Sequence, residues 1–85
     1  MKKKFENLRV WQKAHELVLD IYSADIKFPP SERFGLKSQL RRAIVSVPAN
    51  IAEGYKRQHS KELIQFLGIA QGSLEEARYY LLLLK

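Results

Sequence analysis

Six basic side chains, Arg33, Lys37, Arg41, Arg42, Lys56 and Arg57, fall within residues 31–60, where the only carboxylates are Glu32 and Glu53. That stretch carries +4 of the chain's net +6, while residues 1–30 carry +2 and residues 61–85 are balanced. Guanidinium groups fork onto phosphate oxygens and lysines meet them as point charges, so the set is a candidate grip for a phosphate backbone. A structural alternative is a solvated helix face, with Arg57 paired to Glu53 one turn away. The charge excess favours polyanionic partners and says nothing about fold.

Other reactive residue types are sparse. There are two histidines, His15 and His59, and no cysteine. They are separated along the chain, with no paired carboxylates spaced as ligands, so both read as surface or packed residues, and neither a metal nor another cofactor is expected. Ser46 lacks the strand–turn–helix setting of a catalytic serine; with Asn50 it is expected to satisfy carbonyls loosened by Pro48. The glycines fall singly and form no phosphate-cradling loop. No acid–base or nucleophilic constellation emerges, and the expectation is a protein that is not an enzyme.

With 85 residues there is room for one domain, residues 1–85, and a chain this short buries only a modest share of its surface. No disulfide can help it, which leaves oligomerisation. Lys2, Lys3 and Lys4 resemble the start of a signal peptide, but Glu6, Arg9 and Lys13 interrupt what would be its apolar region, so no export is expected. The longest apolar run, Tyr79 to Leu84, is far short of a membrane span. A cytoplasmic protein is expected.

The elements that must position the basic residues are helices, because apolar residues recur every three or four positions. The spacing predicts helices over about 7–26, 31–57 and 60–85. In the first, Leu8, Trp11, Ala14, Val18 and Ile21 share a stripe widened by Val10, Leu17 and Tyr22. Phe28-Pro29-Pro30 should stop it. Ser31 then reads as the N-cap of the second helix, with a core stripe of Leu36, Leu40, Ala43, Ile44, Val47 and Ile51. A further apolar strip, Val45, Pro48, Ala49 and Ala52, lies on another side of it, and Pro48 should kink the helix. Gly54 weakens the end, and Tyr55 to His59 read as a fraying turn. Ser60 reads as the third N-cap, followed by the stripe Leu63, Phe66, Leu67, Ala70, Leu74, Ala77, Leu81 and Leu84. Gly68 and Gly72 lie elsewhere on that helix, where each predicts close approach of another backbone. Val45, Pro48, Ala49, Ala52, Gly68 and Gly72 are therefore the candidate oligomer interface.

The run Phe34-Gly35-Leu36, Gln39 to Ala43, Ser46, Pro48 and Asn50 to Gly54 strongly resembles the four helix bundle protein family, as do Arg57, Ser60, Ile69-Ala70, Gly72-Ser73 and Glu76. The opening Phe5, Leu8, Val10-Trp11 and Ala14 match as well. Proteins of that family are encoded in intervening sequences of bacterial large-subunit ribosomal RNA genes. Relatives serve as the accessory variability determinant of diversity-generating retroelements. The resemblance implies an all-α, antiparallel up-and-down bundle that assembles as a homopentamer. It also implies a basic surface that meets DNA or RNA and, in the retroelement relatives, a reverse transcriptase. It brings no catalytic residues. Family members continue into a fourth helix, so the expected architecture is three helices of a four-helix bundle with the fourth lacking.

Two binding functions follow as expectations. The first is an oligomer that binds nucleic acid without base-specific readout, since no helix-turn-helix, zinc-finger or aromatic stacking motif is recognisable. The second is a protein-interaction adaptor that uses the two-faced second helix and the uncovered end of the third.

Overall fold

The computed structural model describes residues 4–57 and 59–84. Expectations that involve Met1 to Lys3, Gln58 in the turn, or Lys85 at the end of the third helix lie outside the described residues. A 3-10 turn at Phe5–Asn7 leads into α1 (Arg9–Ser23); a second one at Pro30–Glu32 precedes α2 (Leu36–Arg57), and α3 (Ser60–Leu83) follows. The described residues form no strands.

Neighbouring helices run antiparallel. Gly54 of α2 faces Leu63 and Phe66 of α3, and two turns earlier Ser46 meets Ser73. Partners thus step down one helix as they step up the other. On the opposite flank of α2, Arg41 lies over Tyr22 near the end of α1, while Val47 and Ile51 cluster with Ala14 and, at its margin, Trp11 and Leu8. α2 is therefore the middle of the molecule. Its predicted stripe, Leu36, Leu40, Ala43, Ile44, Val47 and Ile51, is buried throughout. α3 brings small residues, Ala70 and Ala77, to the same core.

The helix boundaries depart from the periodicity. α1 ends at Ser23, whose hydroxyl donates back to the carbonyls of Leu19 at 2.9 Å and Asp20 at 3.3 Å. A proline constrains only the residue before it. The earlier stop has a tertiary origin, because the following segment carries Ile26 and Phe28 onto the Leu40–Ile44 cluster. Ser31 lies inside the second 3-10 turn and is not an N-cap. Ser60 is the first residue of α3, and His59 before it makes no side-chain cap.

Gly54 is a correction of another kind. α2 continues through it to Arg57, and Gly54 is buried. A Cβ there would meet Phe66 Cβ at 2.9 Å, so the missing side chain lets α3 approach. At Gly68 and Gly72, where close approach was expected, no other described part of the chain beyond the helix's own adjoining backbone lies within 4 Å of an added Cβ.

Large apolar side chains remain outside the core, among them Val10 and Leu17 on α1 and Ile64, Leu67, Leu74, Leu82 and Leu83 on α3. The accessible surface is 6680 Å², whereas a compact monomer of this mass exposes about 5,200 Å². The radius of gyration is 14.3 Å, against about 12 Å for a compact domain of this length.

Candidate nucleic-acid interface

The turn before α2 and the first turns of α2 build a concave flank. Arg33 closes the second 3-10 turn through its amide, which donates to the Pro30 carbonyl at 3.4 Å. At about 100° per residue, Lys37, Ser38, Arg41, Arg42 and Val45 fall on the side of α2 turned away from α3. Tyr22 and Phe34 complete the walls, and the concavity has a volume of about 620 Å³. Of the six predicted basic residues, four meet here: Arg33, Lys37, Arg41 and Arg42. No carboxylate is among the lining residues, because Glu32 lines a different hollow with Phe28, Leu36 and Leu84.

Arg41 is half-buried, its guanidinium carbon 4.7 Å from the Tyr22 ring centroid. A guanidinium laid on an aromatic face is held in place while its N–H edges stay available, and the contact contributes about 0.5–1 kcal/mol where exposed. Arg33 and Arg42 are exposed, and Lys37 is half-buried.

Lys56 and Arg57 do not join this cluster. Lys56 is exposed on the same flank, about 20 Å along the helix from Arg42 at 1.5 Å per residue. Arg57 turns toward α3, pairing with Glu53 at 3.1 Å and sitting 5.6 Å from the Phe66 centroid. It has the structural role weighed against phosphate contact.

Sequence reasoning missed Tyr22 and Phe34 as members of this surface. Tyr22 lay on the margin of a core stripe, where its phase matched burial. Phe34 lies in a turn with no periodicity to read, and the side chain is 89% exposed. The expected helix over 31–57 enclosed Phe34, and the usable signal was an aromatic residue flanked by Arg33 and Gly35.

The expected interface strip is split. Val45 is 41% exposed, Ala49 is exposed and Ala52 half-buried, but Pro48 is buried. Pro48 lies seven residues after Arg41 and hence on the same side of α2, the side that α1 occupies. It belongs to the packing within the chain and leaves the surface strip.

Ser46 and Asn50 also differ from expectation. The carbonyl that loses its donor to Pro48 is that of Ile44, whereas the Asn50 side-chain amide donates to the Ser46 carbonyl and hydroxyl, both at 2.8 Å. The Ser46 hydroxyl in turn shares a hydrogen bond of 2.9 Å with Ser73, so the three side chains tie α2 to α3. His15 stacks flat on Trp11 with centroids 4.9 Å apart, and His59 is exposed beside the start of α3. Among the described residues no three His, Cys, Asp or Glu side chains come together to hold a metal ion. No helix among them is long and apolar enough to cross a membrane.

Fold and surface define an all-α helical bundle with one basic, aromatic-walled flank. The family model described as 23S rRNA-intervening sequence protein matches residues 6–85, and the chain belongs to that family. No curated protein matches it in sequence.

Proposed function

We propose that this chain acts by binding and not by catalysis, and that it holds nucleic acid through backbone phosphates contacted by Arg33, Lys37, Arg41 and Arg42. The observation that carries the reading is the meeting of these four cations in one concavity with no acid in its lining. Three of them are arginines, the side chain whose fork matches a phosphate. Lys56 supplies a further contact along the same flank. Self-association would multiply this modest patch into a many-site surface, in which weak contacts add through effective concentration. The homopentamer implied by the resemblance is one such arrangement, and Val45, Ala49, Ala52, Gly68 and Gly72 are the exposed or half-buried positions of the expected interface.

The test is binding of random-sequence DNA and RNA across a salt series, with the wild type and the double variant Arg41→Glu, Arg42→Glu. Removing one cation from its phosphate flattens the log–log salt slope by roughly 0.9 on duplex and 0.7 on single strands. The expected result is weaker binding and a flatter slope, with helicity retained. A helical double variant that binds as tightly as the wild type would reduce the patch to a solvated face.

A second reading is an accessory subunit for another protein, favoured by the line of exposed apolar side chains on α1 and α3. The resemblance makes a reverse transcriptase one such partner. Absence of nucleic-acid binding at low salt, with the apolar line intact, would favour this reading.

A further inference from the structure

We infer that the basic concavity is built for single-stranded nucleic acid, with an unpaired base stacked on Phe34. The inference rests on the reading above, and adds which form of polyanion the site takes and which residue selects it.

Three observations lead there. First, Phe34 is the most exposed of the large apolar residues among those described, at 89%. Fully burying a phenylalanine is worth about 1.5–3 kcal/mol, and here the chain leaves that gain unused. Secondly, the backbone around Phe34 is fixed on both sides. The Glu32 amide donates to the Pro29 carbonyl at 2.8 Å, and the Gln39 amide donates to the Gly35 carbonyl at 3.0 Å. Leu36, two residues on, is buried. The ring is thus presented to solvent by an anchored turn. Thirdly, it stands in the wall of the same concavity as Arg33, Lys37, Arg41 and Arg42.

An aromatic face beside several phosphate-binding cations is the combination that single strands require. Their bases are splayed and offer a π-face to stack, while the backbone follows the charged groove. In a duplex the base faces are already stacked against one another. A duplex could meet the four cations through phosphates but would have nothing to lay on Phe34. Tyr22 and Val45 also line the concavity, but the Tyr22 ring lies under Arg41, so Phe34 is the aromatic face left open beside the four cations. The volume of about 620 Å³ falls within the range of small-ligand sites and so admits a short piece of strand. Arg41, held on Tyr22, keeps its N–H edges available in the same concavity as Phe34.

The experiment measures binding of short labelled single strands, DNA and RNA in separate arms, and of a DNA duplex of the same length at low salt. The wild type is compared with Phe34→Ala, Phe34→Trp and the Arg41→Glu, Arg42→Glu pair, with circular dichroism to confirm helicity. The wild type should prefer single strands. Phe34→Ala should weaken single-strand binding roughly 5- to 150-fold and change duplex binding about twofold or less, and Phe34→Trp should restore it. Equal binding of single strand and duplex by the wild type, or a helical Phe34→Ala that keeps full single-strand affinity, would overturn the inference and leave the phosphate-binding reading in place. Loss of salt-sensitive binding only in the charge-reversed pair is that second pattern. A wild type that binds no nucleic acid at low salt would overturn both.

Discussion

Gly54 of α2 lies against Phe66 of α3, and a Cβ on Gly54 would stand 2.9 Å from Phe66 Cβ and 3.2 Å from a Leu63 methyl carbon. Phe66 Cβ is fixed to the α3 backbone, so it cannot swing away as the tip of a long side chain can. Gly54→Ala gains up to about 1 kcal/mol in helix propensity. Overpacking of a closed contact costs about 1–3 kcal/mol. The variant should therefore be destabilised, by up to about 2 kcal/mol in urea unfolding after the full propensity gain, and greater stability than the wild type would show that the helices have room to part.

Gly68 and Gly72 give the opposite outcome if nothing covers them. With no neighbouring part of the described chain within 4 Å of an added Cβ, alanine at either position should raise stability by about 0.5–1 kcal/mol through backbone entropy. If these glycines are packed between copies of the chain, the same substitutions lower the solution mass. Thermal unfolding and light scattering at one concentration separate the two cases.

Ser46, Asn50 and Ser73 form a bridge in which each bond orients the next. Ser73→Ala should cost about 0.5–1.5 kcal/mol. Adding Ser46→Ala should cost less than the sum of the two single effects, with a coupling of at least about 0.5 kcal/mol. Additive single effects in a double-mutant cycle would mean that the two hydroxyls act independently.

Leu67 and Leu74 lie seven residues apart on α3, exposed by 40% and 37%, close to Ala70, which shares a core cluster with Ala14 of α1. Self-association that covers this line should be abolished by Leu67→Lys with Leu74→Lys. The wild type is expected to sediment as an oligomer at micromolar concentration and the double variant as a helical monomer. A wild type that is already a folded monomer would exclude assembly along α3.

The spacing of apolar residues in the sequence determined that the chain is helical, how many helices this stretch forms, and which face of α2 is inside. Such a pattern follows from 3.6 residues per turn and needs no knowledge of neighbours. It determined less about α3, where Leu67 and Leu74 carry the same hydrophobic signal as Ala70 and Ala77 but only the alanines are buried. Hydrophobicity fixes which side chains would gain from burial, whereas the number of packed neighbours fixes which ones achieve it. The basic residues were legible as a charge cluster, but their division was not: Arg41 turns to Tyr22 and Arg57 turns to Glu53 and Phe66. That choice depends on what lies across from each flank of α2. Packing of α1 and α3 against α2 also decided that Pro48 is inside, that Gly54 is a contact point, and that Phe34 stands in the wall of the basic concavity, because distance between helices is a property of their side chains taken together.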